Sequence, residues 1–432
     1  MNPIGALITA VLAVVVFGGS RRWAATAIIL GVCYLTQGVA LNIGFNFTAI
    51  RLILLSGFLR VIVRGELRVI RFNAIDKALV IYGIGQFIIP VIRVGTFGEL
   101  VYQLGNLYNV YLSYFVFRGL LRDEDELFSL LELTAILLIP LVLIMTFEAT
   151  TGRNIFSIFS GVGQYSMFRD GHFRANGPFR SPITAGSFGA TFALFYSSMI
   201  FSRGVSRAAV LGLGLSLAIA IPWARSSGPV LGLMLGIGAM ACWPVRMHTR
   251  KMRWGIVIAL FSLHMVMKSP VWFLLGRISD LVGGGGYHRA YIIDNFVKNF
   301  WAWCFMGMND TADWVATQLE SGGADITNQF VADGLNGGII GLILSITVIV
   351  RTFQAVGKAM RATHEDDLAS TKFVWGLGSN VVGNIGILFS VTYFDQMQVI
   401  WYLLIACIAS ITSNMTKKML KTDVFEEQGT VN

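Results

Sequence analysis

The chain has 432 residues, 55% of them hydrophobic and only 13% charged, with a formal net charge of +9 and a mean hydropathy of +0.67. So few polar groups cannot cover a water-exposed surface, so composition excludes a soluble globular enzyme and points to a polytopic helical membrane protein. The basic residues lie between apolar runs rather than along one face, which argues for loops on one side of a membrane and against a nucleic-acid partner.

The first apolar run, 4 to 17, has no basic residue before it, while Arg21 and Arg22 follow it. That asymmetry predicts a reversed anchor with its N-terminus outside. Cutting the sequence at its polar breaks gives about thirteen apolar segments of spanning or near-spanning length, judged against the ~20 residues a helix needs to cross hydrocarbon. They fall near 4–18, 24–40, 45–62, 75–92, 101–117, 127–147, 183–201, 207–222, 227–245, 254–268, 331–350, 373–393 and 397–414. If they simply alternate, the basic groups around Arg21, Arg64, Arg118, Arg203, Arg250, Arg361 and Lys417 all fall on one side, which the short-loop bias makes cytoplasmic.

The opposite side then has short connections except at about 149–182 and 269–330. Both carry many aromatics, so neither has the composition of a disordered segment. Within the second, Ile292, Ile293, Phe296, Val297, Phe300, Trp301 and Cys304 share one stripe of a helix predicted over 288–304, lying in the membrane interface. Gly283 to Gly286 precede it as a hinge. The expected fold class is therefore all-α, one integral membrane domain over 1–432 with about thirteen spans and two long outer loops.

Arginine on the outer side runs against the positive-inside bias, so clustering there calls for an anionic partner. The run FRDGHFRANGPFRSP holds Arg169, His172, Arg174 and Arg180, and Arg225 lies in the very short connection IPWARSSG. Planar guanidinium forks match phosphate oxygens in pairs, which makes a phosphate or diphosphate the natural ligand. Arg51, toward the outer end of the third apolar run, is read as snorkelling to the interface. Of five histidines only His172 and His288 are placed to serve an outer site as bases. The four cysteines are scattered without a CxxC pair, HExxH is absent, and Asp123 and Asp125 sit in a solvated acidic run. No metal site or cofactor is expected.

Three stretches resemble the O-antigen ligase and polysaccharide polymerase superfamily, bacterial inner-membrane glycosyltransferases with a GT-C-type helical fold. They are RANGPFRSPITAGSFGA from Arg174, ARSSGPVLGLMLG from Ala224 and DITNQFVADGLNGGIIGLILS from Asp325; YHRAYIIDNFVKNFWAW resembles the family's arginine-led amphipathic helix. The resemblance implies transfer or polymerisation of a glycan from an undecaprenyl diphosphate carrier onto an acceptor hydroxyl, at the outer face of a bacterial inner membrane. Partners would be that lipid-linked glycan, the bilayer and other polysaccharide assembly proteins.

On that reading Arg180, Arg225 and Arg289 stabilise the diphosphate leaving group without metal, and Arg174, Arg169, His172 and Asn328 bind substrate. The family's base is a histidine before an asparagine, where this chain has Thr327 before Asn328. Threonine cannot take that role, so Asp325 or His288 substitutes, or positioning alone suffices. The alternatives from other classes are a transporter of an anionic or lipid-linked sugar and a non-catalytic scaffold of an export assembly.

Overall fold

The computed structural model describes residues 2–42, 46–68, 70–277, 286–314, 324–362 and 367–429. It is 78% helical. A helix runs through every predicted apolar segment: α1 (Pro3–Gly18), α2 (Arg21–Tyr34), α3 (Ala49–Val63), α4 (Ala74–Val94), α5 (Phe97–Leu120), α6 (Glu124–Thr151), α7 (Pro182–Arg203), α8 (Arg207–Ala218), α9 (Ser227–Ala241) and α10 (Thr249–Val266), and, after the shorter α11 (Gly286–Lys298) and α12 (Phe300–Trp303), α13 (Gln329–Ala362), α14 (Leu368–Leu388) and α15 (Gln396–Gly429).

The all-α expectation is corrected at two places by small antiparallel hairpins. Strands β1 (Ala40–Asn42) and β2 (Asn46–Thr48) cut short the second and third apolar segments. Strands β3 (Met167–Arg169) and β4 (His172–Arg174) lie in the first long connection.

Local chemistry sets the helix ends. Asn73 and Asp76 form a reciprocal capping box at the start of α4, and the Asp123 carboxylate accepts from Glu126 N at 3.0 Å at the start of α6. Gly95 and Gly152 end α4 and α6 in the left-handed conformation that glycine adopts without steric cost.

Among the described residues five helices are long and apolar enough to cross a membrane, or six if α9 and the helix after it, bent by 78°, count as one span. Most of the shortfall against about thirteen is one of length, since α1, α2, α3 and α8 have only 16, 14, 15 and 12 residues; α14, with 21 residues, falls short for another reason. Helix α14 packs between α7 and α9 and buries Ser379, Asn380 and Asn384. A helix surrounded by protein need not be apolar, because its polar groups pair with neighbours rather than face lipid. Close approach of backbones makes this packing possible: a Cβ at Gly232 of α9 would lie 2.6 Å from Gly383 O of α14.

Helix α13 is not straight. Gly338 adopts φ 62°, ψ −163°, so residues 329–337 form a half-helix folded back on the rest, and a Cβ at Gly341 would lie 2.9 Å from Asp333 O. The predicted interface helix over 288–304 breaks at Asn299 into α11 and α12. Its apolar stripe is divided: Ile292 and Cys304 are buried with Val331 and Leu335 of the half-helix, together with Trp303, which lies outside the predicted stripe, whereas Val297 and Trp301 remain 49% and 77% exposed. The stripe is half interior wall, half free surface. Glycines 283–285 lie outside the described residues; Gly286 begins α11.

Candidate functional site

The hairpin β3–β4 turns at Asp170–Gly171, with φ of 53° and 77°. Two central residues at positive φ make the turn whose twist matches paired strands, and Asp-Gly is a preferred pair for it. The register places Arg169 opposite His172 and Met167 opposite Arg174. Arg169 and His172 are exposed at the tip, with Asp170 at 3.5 Å from Arg169. Arg174 is half-buried and its Nε donates to Ala224 O at 3.2 Å, while Ala175 N donates to Trp223 O at 3.0 Å. The base of the hairpin is thereby stitched to the connection holding Arg225.

That connection opens with a π-helical turn, Ile219–Trp223, containing Pro222, an irregularity frequent at functional sites. Arg225 follows at φ 44°, a conformation that strains any residue with a Cβ. Its side chain is exposed and folds back so that Nε donates to Pro222 O at 3.1 Å.

Arg289, on α11, is half-buried. Burial pulls its pKa down, and Arg169 and Arg174 add to the depression. Arg174 is lowered in turn, by burial and then by Arg169, with Asp170 opposing. Guanidinium does not lose its proton in proteins, so these directions reflect the cost of burying a charge first and the repulsion among three cations second, with Asp170 opposing at Arg174. Among the described residues Arg289 has no hydrogen-bond acceptor or ion-pair partner.

His288, next to Arg289, has Nε2 3.0 Å from Asp325 O. A carbonyl only accepts, so Nε2 carries the proton and Nδ1 is left as the basic nitrogen of the neutral ring. The Asp325 residue itself is exposed. Asn328 is 1% exposed, and its Oδ1 caps the half-helix by accepting from Phe330 N and Val331 N at 3.0 and 3.2 Å. Asn328 Nδ2 and Thr327 Oγ1 are buried with no partner, so two polar atoms at a buried helix N-terminus remain unpaired.

Arg180 belongs to a second group. Its guanidinium sits 5.6 Å from the centre of the Phe394 ring, and it faces Asp395 electrostatically, as does Arg51. Asp395 lies in the connection between α14 and α15, at φ 56°. Burial raises its carboxyl pKa to about 6, against the opposing pull of Arg180 and Arg51. Its Oδ2 is buried without a hydrogen-bond partner. The snorkelling role for Arg51 is corrected: Nε donates to Asn109 Oδ1 at 2.9 Å and Nη2 to Gly105 O at 3.4 Å. With α5 carbonyl and amide groups satisfying it from inside the bundle, this guanidinium has no reason to reach for the interface.

Between the two groups, residues 175–180 are held from both sides. The Glu148 carboxylate at the end of α6, 0% exposed, accepts from Ser166 Oγ at 2.7 Å, Asn176 N at 3.0 Å and Gly177 N at 2.8 Å. Gln396 Nε2 donates to Pro178 O at 3.1 Å. A buried carboxylate with three donors is a strong fixture for a loop.

Sequence reading did not single out Asp395, Glu148 or the interior carboxylate of Asp333. Asp333 Oδ1 accepts from Tyr82 Oη at 3.1 Å and Gln329 Nε2 at 2.9 Å, whereas Oδ2 is unpaired. The residue lines a cavity of about 40 Å³ with Ser345, Gln398 and Tyr402. Asn109 Nδ2 donates to Gln398 Oε1 at 3.3 Å, which links the cavity to Arg51. The available signal was a carboxylate inside or at the edge of each of three apolar runs.

No protein-family model matches the chain, and comparison with curated proteins finds no match.

Proposed function

We propose that the chain spans a membrane about thirteen times and transfers or polymerises a glycan from a lipid diphosphate carrier, of the undecaprenyl type, onto an acceptor hydroxyl at its outer face. The observation that carries this reading is Arg289, a half-buried guanidinium with no acceptor among the described residues, a charge held at an energetic cost that the cations of the other long connection, Arg169 and Arg174, increase. A bound diphosphate would reverse that cost, and the same guanidiniums would stabilise the charge that develops on it as the glycosidic bond breaks.

In this mechanism Arg174 and Arg289 grip the diphosphate and Arg169 closes from the hairpin tip with His172. The unpaired Asn328 Nδ2 adds a donor from the half-helix. Asp395 takes the acceptor proton, a role suited to a carboxyl that titrates near 6 beside two guanidiniums. His288 Nδ1 or the exposed Asp325 is the other group able to take it. Arg180 holds Asp395 in its ionised form and Arg225 lines the approach. The fit to a glycosyltransferase of the O-antigen ligase and polymerase type rests on these roles and on the resemblance of sequence. The test is polymer length in cells carrying Arg289→Ala or Arg225→Ala at normal membrane levels: loss of long chains is expected, and wild-type chain length in both would refute the assignment.

A second reading, transport of an anionic or lipid-linked sugar, is favoured by one observation, a buried carboxylate, Asp333, whose Oδ2 has no hydrogen-bond partner among the described residues, beside an interior cavity. Flux into vesicles that is lost in Asp333→Asn, with no glycan transfer by the wild type, would establish it instead.

A further inference from the structure

A cavity of about 710 Å³ lies far from the arginine hairpin. It is lined at the start of α6, by Arg122 and Asp123, whereas the hairpin follows the other end of that helix; 28 residues separate the two ends, about 42 Å at helical rise. Five of the seven basic groups recognised in the sequence contribute to its wall, from Arg21 to Lys417. A positive-inside bias explains why those residues lie on one side of a membrane. It does not explain why they share a cavity.

Two of these cations are already neutralised: Arg21 pairs with Glu126 at 2.6 Å and Arg118 with Asp76 at 3.2 Å. Five others, Arg71, Arg122, Arg351, Lys358 and Lys417, make no ion pair among the described residues. The one acid in the lining, Asp123, is engaged as a helix cap. The neutral polar groups are spent as well, since Asn73 Nδ2 donates to Ala409 O and Ser413 Oγ, and Asn414 Nδ2 to Arg122 O. Arg122 is half-buried, and burial followed by the Arg21 charge pulls its pKa down. Arg351 and Lys358 stand two helical turns apart on α13, so both face the cavity from one side.

We propose that this cavity binds a phosphate-bearing anion, an anionic phospholipid headgroup or a soluble phosphate ester of that size. Three guanidiniums and two ammoniums exceed what a single carboxylate requires, and the arginine forks match phosphate oxygens. Basic cavities between helix ends at a membrane surface suit anionic headgroups. Isoleucine and phenylalanine at the lip, Ile70 and Phe72, offer apolar surface beside the charged wall.

The test is native mass spectrometry and thermal unfolding of the full chain in neutral detergent. The probes are phosphatidylglycerol, phosphatidylcholine and inorganic pyrophosphate. The double variants are Arg351→Gln with Lys358→Gln and, from other elements, Arg71→Gln with Lys417→Gln. All four side chains are exposed, so both variants should unfold like wild type in phosphatidylcholine. Selective binding of phosphatidylglycerol, weakened about tenfold or more in both variants, identifies a lipid ligand. Pyrophosphate protection lost in both variants and kept in Arg289→Gln identifies a soluble one. Equal response of wild type and variants to both anions overturns the proposal.

Discussion

Replacing Glu148 by alanine tests whether the segment between the two arginine groups is positioned by one buried carboxylate. The substitution removes three hydrogen bonds, from Ser166 Oγ, Asn176 N and Gly177 N. The serine hydroxyl can rotate to another acceptor, but the two backbone N–H groups stay buried and unpaired. Each such orphan costs about 1–3 kcal/mol, so Glu148→Ala should destabilise by about 4 kcal/mol. Glu148→Gln should cost less, since one oxygen remains to accept while the amide nitrogen faces a donor. The assay is denaturant unfolding in detergent, paired with limited proteolysis of the connection 160–175. The alanine variant should be cut there faster than wild type. A variant within about 1 kcal/mol of wild type, with unchanged cleavage, would refute the claim that Glu148 fixes the loop.

Four further outcomes follow from the site. Arg289→Gln relieves repulsion from Arg169 and Arg174, so it should leave the ligand-free protein as stable as wild type or more so while long polymer chains are lost in cells; a drop in the melting temperature would contradict the repulsion argument. Transfer activity should rise with pH through about 6 as Asp395 ionises, and Asp395→Asn should remove that limb. Because the folded pKa of Asp395 is raised from 3.8 to about 6, the folded state binds the proton more tightly, so this residue's contribution to stability falls as pH rises through that window; the asparagine variant should lack the slope. Arg225→Gly, measured by thermal unfolding, should stabilise by about 1 kcal/mol by relieving the left-handed strain at φ 44°, and should still impair chain extension. Gly338→Ala should destabilise markedly, since φ is 62° and the new Cβ would meet Phe305 O at 2.7 Å; unfolding at wild-type denaturant concentration would show that the break in α13 is not rigid.

Hydropathy placed the helices well because lipid-facing surface must be apolar whatever the fold. It overstated the uniformity of the bundle. Helix α14 carries Asn380 and Asn384 in its interior face, where Thr191 and Tyr393 satisfy them, and sequence alone does not tell a polar residue turned inward from one that ends a span. The Asp170–Gly171 turn is a short-range signal, an Asp-Gly pair between Arg169 and His172. The arginines on the long connections were legible because charges gathered between apolar runs are conspicuous.

What the sequence determined by itself was the class of the protein, the positions of its helices and the outer arginines as candidates, since each depends on local composition. Only the tertiary structure decided which arginines share a field. Arg169, Arg174 and Arg289 come together, Arg180 turns instead to Asp395, and Arg51 faces inward. Those groupings depend on how α11 and the connection after α14 fold onto the bundle, across separations of more than a hundred residues that no local pattern encodes. The same holds for the basic cavity at the far end, where residues spaced from Arg21 to Lys417 meet because the ends of α2, α4 and α5 gather beside α13 and α15.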